Sequence, residues 1–187
     1  MKKWGILGII ALLILGAFLI WYFAFFNNKW RERFLTYQNF RYNFGVEYPA
    51  NWRLGEEPSN SDGREMVSKD ENVTCRAYGF YNSLTGETGN PQTLDQYIDW
   101  ILETGAETEG EKSNVLEKKE SKLNERRAIY LNLQEGDQIT DSIYVLGKES
   151  GIGLVCQYKS QKQRDKYRYV FDHMIETIKI NQNLDGS

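Results

Sequence analysis

One histidine, two cysteines and three prolines are all that 187 residues hold of the types that build most metal centres, thiol chemistry and rigid kinks. A tetrahedral zinc site needs four good ligands, and one His with two widely separated Cys falls short. The spacings C-x-x-C, H-E-x-x-H, G-x-S-x-G and the P-loop are all absent. His173 with Cys75 or Cys156 is the cheapest pairing that would make a thiol nucleophile. Both cysteines lie in strand-like apolar surroundings, where a thiol is not activated. His173 is therefore expected to be a solvated helix residue, and the sequence assigns no catalytic residue, no cofactor and no metal ligand.

An excess of positive charge is also missing. Lys2 and Lys3 precede residue 4, so 21 of the 23 basic residues stand against all 26 acidic ones in the remainder, a net charge of −5. That balance excludes the basic field a nucleic-acid partner requires. Calcium loops fail on their ligands. A loop at 58–69 would begin at Pro58 and end at Lys69, and the 181–186 stretch matches only the first half of one. Cys75 and Cys156 are consistent with one disulfide outside the cytoplasm or two packed thiols inside it, and packed thiols are the preferred reading.

What the chain does have is an uninterrupted apolar run. Residues 4–26 contain no charge, amide or proline. As a helix rising ~1.5 Å per residue they would reach roughly 35 Å, enough to cross a hydrocarbon core of about 30 Å. The run is too long for a cleaved leader, and its end lacks an exit of small residues. It predicts an uncleaved single-pass signal anchor over residues 1–26, with membrane lipid as its partner through 4–26. Trp21, Tyr22, Phe25, Phe26 and Trp30 crowd one end and Trp4 marks the other, the aromatic belts of two interfaces. Basic residues flank both ends, so charge alone leaves the orientation open.

Residues 27–36 read as a charged juxtamembrane tether that continues the helix for a turn or two. Residues 37–180 are long enough for one domain with a real core, and 181–187 read as a tail. Alternation of Phe44, Val46 and Tyr48 with Gly45 and Glu47 predicts a half-buried strand that Pro49 stops. A hairpin over 65–81 follows a polar loop. Leu94, Tyr97, Ile98, Ile101 and Leu102 form the stripe of a helix over 93–104, opened by a Thr93/Gln96 capping box. Four strands, 115–123, 127–133, 139–146 and 152–158, precede a closing helix over 162–178. Strands, helix, meander and helix predict an α+β domain: an antiparallel sheet covered by helices. The basic run 159–168 reads as a solvated helix start, while the loops 51–64 and 82–91 are the better contact surfaces.

The phrase running from Asn43 through Phe44, Gly45, Val46, Tyr48 and Pro49 to Trp52 resembles the opening of PsbP-like domains. The later order of helix, strands and helix agrees over about residues 37–180. The resemblance implies an α/β/α sandwich around an antiparallel sheet, shared with the Mog-type Ran-binding import factor. It also implies a non-catalytic domain docked on a larger assembly, usually outside the cytoplasm. The expectation is an anchored, non-enzymatic accessory or scaffold subunit whose partner is a membrane protein complex. The alternative is an extracytoplasmic module that binds a small molecule or ion.

Overall fold

A computed structural model describes Gly16 and residues 33–81, 93–104, 113–147 and 150–180. The chain divides into two compact units, Met1–Arg33 and Phe34–Ser187. Apart from helical Gly16, the predicted anchor lies outside the described residues. Among the described residues, no helix is long and apolar enough to cross a membrane.

The second unit is mostly antiparallel sheet with two helices. Its strands are β1 (Phe34–Asn39), β2 (Phe44–Pro49), β3 (Arg53–Leu54), β4 (Gly63–Val67), β5 (Val73–Tyr81), β6 (Asn114–Leu123), β7 (Arg126–Glu135), β8 (Gln138–Leu146), β9 (Ser150–Tyr158) and β10 (Lys179–Ile180). Helix α1 spans Leu94–Thr104 and α2 spans Gln161–Thr177. Seven strands pair in the order β3-β4-β5-β9-β8-β7-β6, and a smaller sheet runs β1-β2-β10.

β1 corrects one expectation. Residues 34–36, read as the end of a charged tether, instead begin a strand, with Phe34 opposite Pro49 and Thr36 opposite Glu47. Pairing with β2 satisfies this backbone and outweighs local helix propensity.

The large sheet separates two apolar cores by the two-residue alternation of its strands. Ile139, Ile143 and Val145 of β8 join Ile152, Leu154 and Tyr158 of β9 beneath Val170, Phe171 and Met174 of α2. Their neighbours Tyr144 and Val155 turn to the other face, where Ile98 and Ile101 of α1 meet Ile129, Leu131 and Leu133. Each helix therefore buries one stripe on its own side of the sheet.

Local chemistry sets the ends. The capping box forms: Thr93 Oγ1 accepts from the Gln96 N–H at 3.2 Å, and Gln96 Oε1 accepts from the Thr93 N–H at 3.1 Å. Ser160 caps α2 by accepting from the Gln163 N–H. Asn124 and Glu125 both take positive φ between β6 and β7, the backbone of a tight hairpin turn. Charged side chains strap one flank of α1. Arg127 bridges Asp95 at 2.9 Å and Glu120 at 2.6 Å, and Lys118 meets Asp99 at 3.0 Å. On the other flank the Tyr97 ring lies flat on Phe80 at 4.4 Å.

Candidate interaction surface

Four residues, Phe40 to Asn43, connect β1 to β2 and form a tip whose backbone is held by its own side chains. Asn39 Oδ1 accepts from the Tyr42 N–H at 2.9 Å. Its amide donates to Tyr37 Oη at 3.0 Å and to the Ser61 carbonyl at 3.1 Å. Asn43 completes the reversal at φ +53°, a conformation Asn tolerates because its short polar side chain bonds locally.

The neighbouring loop, 55–62, is fastened to the same end of the sheet. Gly55 N–H donates to the Glu65 carbonyl at 2.8 Å, and Gly79 N–H donates to the Asp62 carbonyl at 2.7 Å. Arg64 bonds the Gly55 carbonyl at 3.2 Å and Glu57 at 2.8 Å. Arg76 reaches Asp62 at 3.4 Å. These bonds turn a polar, turn-rich segment into a fixed shelf beside the tip.

Arg41 joins the two. Its guanidinium donates to the Asn60 carbonyl and lies 5.4 Å from the centre of the Tyr42 ring and 5.2 Å from that of Tyr81. The hydrogen bond with Tyr81 pushes the Arg41 pKa upward, and a guanidinium is a permanent cation in any case. Burial raises the Tyr42 hydroxyl above its ordinary value. Tyr42 itself packs flat on Gly79, where a Cβ would overlap its ring. Two aromatics at this end stay in water: Phe40 is 88% exposed and Tyr81 62%.

A second polar centre holds α2 to the sheet. Asp141 of β8 is wholly buried. Its Oδ1 accepts from Tyr130 Oη at 2.6 Å and Asn132 Nδ2 at 2.8 Å. Its Oδ2 accepts from Arg164 Nε at 2.9 Å and Arg168 Nη1 at 3.0 Å. Burial and then the Asp141 carboxylate raise the Tyr130 pKa. Burial works against the Arg168 charge, but Asp172 and Asp141 outweigh it and push its pKa upward. Five hydrogen bonds converge on the two Asp141 oxygens, so this centre fixes a helix rather than offering a reactive group.

The residues singled out from sequence fall as follows. Cys75 and Cys156 are joined in a disulfide across β5 and β9, with Cα atoms 4.0 Å apart. This corrects the preference for packed thiols, because the ladder sets the two side chains directly opposite one another. His173 does not meet either cysteine. Its Nε2 lies 3.0 Å from Glu47 Oε2, and its ring stacks on Phe34 at 3.8 Å. The basic run is not a free patch either, since Arg164 and Arg168 turn inward to Asp141 and Lys166 bonds Asp70 at 3.2 Å. Of the two loops favoured as contact surfaces, 51–64 forms the shelf, and 82–91 lies outside the described residues, as do Trp4, Trp21, Tyr22, Phe25, Phe26 and Trp30.

Sequence reasoning passed over both Phe40 and Asp141. Asp141 carried a signal: a carboxylate on the inward parity of the strand 139–146 demands a buried partner. Arg164 and Arg168, four apart on one helix face, were the cations able to supply it. Phe40 carried one as well, a large apolar residue between two asparagines in a turn.

No family model matches the chain, and no curated protein matches it. Solved structures do. The solution structure of cyanobacterial PsbP (CyanoP) from Synechocystis sp. PCC 6803 superposes with a TM-score of 0.60 at 10% identity, covering 79% of this chain and 92% of that one. The Ran-binding protein Mog1p of Saccharomyces cerevisiae superposes with a TM-score of 0.54 at 9% identity, covering 82% of this chain and 97% of that one. At these identities the likeness is one of fold: the domain has a PsbP-like, Mog-like architecture.

Proposed function

We propose that this chain is a membrane-anchored, non-catalytic accessory subunit that docks its PsbP-like domain on a membrane protein complex at the extracytoplasmic face. The observation that carries the reading is the tip. Phe40 stands almost wholly in water on a turn that Asn39 and Arg41 hold rigid against the 55–62 shelf. Binding residues concentrate on loops positioned by a rigid scaffold, and aromatic side chains, Phe among them, are enriched at protein interfaces.

Three further features support it. The apolar run 4–26 with its aromatic ends supplies a single-pass lipid anchor. The Cys75–Cys156 disulfide suits an oxidising compartment. Both thiols are committed to that bond and the one imidazole is committed to Glu47, which favours a binding role over catalysis. Mog1p, a Ran-binding protein, has this architecture, and a binding role is in keeping with that.

Cross-linking mass spectrometry on native membranes tests the proposal. The expected result is recurrent links from lysines of this chain to one membrane protein assembly, with co-migration of the two on a native gel. Recovery of the full chain as a freely diffusing monomer from mildly solubilised membranes would overturn it.

A further inference from the structure

We propose that the β1–β2 tip docks into an apolar pocket on a partner protein whose rim carries carboxylates, with Phe40 filling the pocket and Arg41 meeting the rim. This deepens the accessory reading above and rests on it.

The turn does not need Phe40. Asn39 supplies the side-chain bond to the Tyr42 N–H, and Asn43 supplies the positive φ. The ring is 88% exposed, so its apolar surface contributes nothing to folding and is recovered only when something covers it. Because the backbone beneath is already fixed to Ser61 and Asn60, little conformational freedom is lost on docking. A convex, preordered turn fits a concave surface better than a flat one.

Charge narrows the occupant. Around the tip, Arg76 is matched by Asp62 and Arg64 by Glu57. Arg41 forms no ion pair among the described residues; its partners are the Asn60 carbonyl, the Tyr81 hydroxyl and two tyrosine rings, with the Asp62 carboxylate, already bridged to Arg76, acting only at longer range. It is a local cation on a chain whose residues beyond 26 carry a net −5. A carboxylate-rimmed partner is repelled by that acidic field in general and attracted at the tip, which selects the docking orientation. An anionic lipid surface calls for a cluster of about four to eight basic residues, and among the described residues the tip offers Arg41 alone as a cation outside an ion pair. A second copy bound through the same surface would bring the two Arg41 side chains toward one another across a two-fold axis. Both alternatives are disfavoured by the same residue.

The test places a photoreactive benzoylphenylalanine at position 40 of the full chain in its native membranes. The expected product is a covalent adduct with a protein whose cross-linked peptide holds apolar residues flanked by Asp or Glu. Arg41→Glu should reduce that adduct at least tenfold, and Arg41→Lys should retain most of it. Both variants should melt as folded domains, and hydrogen exchange across 40–43 reads how far the tip loosens without the Arg41 bond to the Asn60 carbonyl. An adduct lost only in proportion to that loosening, and equally in Arg41→Gln, would overturn the charge argument. The same photoreactive residue at Glu125, on the β6–β7 turn, should not give the adduct. Adducts with lipid alone, adducts with another copy of this chain, a protein adduct indifferent to Arg41→Glu, or no adduct would each overturn the proposal. Phe40→Ala separates it from the broader reading. If co-migration with the membrane complex survives that change, the tip is not the dock while the accessory role stands; if the parent chain itself co-migrates with nothing, the accessory role falls.

Discussion

Asp141 lies directly opposite Cys156 across the β8–β9 ladder. The buried carboxylate and the disulfide are thus neighbours on the face covered by α2. They belong to one line of paired residues that crosses all seven strands: Leu54, Met66, Cys75, Cys156, Asp141, Asn132 and Glu117. A covalent bond and an ionic cluster therefore stiffen the same row, and both should be felt in stability.

Removing the carboxylate should be the most damaging single change. In Asp141→Ala the guanidinium groups of Arg164 and Arg168 lose their shared buried partner, a loss expected to cost about 3–5 kcal/mol in urea unfolding. Replacing Asp141, Arg164 and Arg168 together by apolar residues of similar volume should cost far less, because no charge is then stranded. Equal costs for the single and triple variants would contradict this account.

The disulfide closes a separation of 81 residues. A loop of that size should contribute about 4.5 kcal/mol by restricting the unfolded chain. Cys75→Ala with Cys156→Ala should lower the denaturation midpoint accordingly. The Cys75 and Cys156 side chains are buried, so the native disulfide should resist a thiol reductant until denaturant is added. Mass spectrometry after alkylation reads this directly.

Two titrating groups should shape the pH dependence. Burial opposes the charge on Asp70, yet hydrogen bonds from Tyr167, Ser68, Asn72 and Lys166 hold its carboxyl well below the ordinary range. A depressed folded pKa contributes stability above about pH 4 that is lost as the pH falls toward the folded value. Asp70→Asn should flatten the acid limb of the stability curve. Burial, and next the Asp141 charge, push the Tyr158 hydroxyl far upward. That contribution is present below about pH 10 and is lost above it, as the unfolded chain ionises. Tyr158→Phe should flatten the alkaline limb. Melting temperatures across pH for the two variants check both signs.

Much of this architecture was legible in the residues, and the exceptions share a cause. The α1 stripe, its Thr93/Gln96 cap and the strands from 115 to 158 follow from local period and local hydrogen bonding. Arg164 and Arg168 read as solvated because their partner lies on a strand more than twenty residues away. Cys75 and Cys156 could not be joined on paper, since only the adjacency of β5 and β9 makes them opposite. Phe34 to Thr36 were read as tether because the strand that pairs with them supplies the reason for their shape. Local rules see a residue's neighbours in sequence, and these features depend on neighbours across the sheet.

Gly79 offers a test of how the tip is supported. A methyl group there would collide with the Tyr42 ring, which lies beneath Arg41. Gly79→Ala should displace Tyr42, loosen Arg41 from Tyr81 and speed amide exchange across 40–43 while leaving α1 and β7 protected. Hydrogen-exchange mass spectrometry resolves the two regions, and uniform loss of protection would refute the local assignment.

β1 and β10 flank β2 in the smaller sheet, so the first and last described strands share one narrow ribbon. Force applied at Phe34 would load the six paired residues of β1 first, while β10 grips β2 through only two. Pulled from that end, the ribbon should peel while the cross-braced seven strands stay intact, so the two sheets would fail in sequence rather than together.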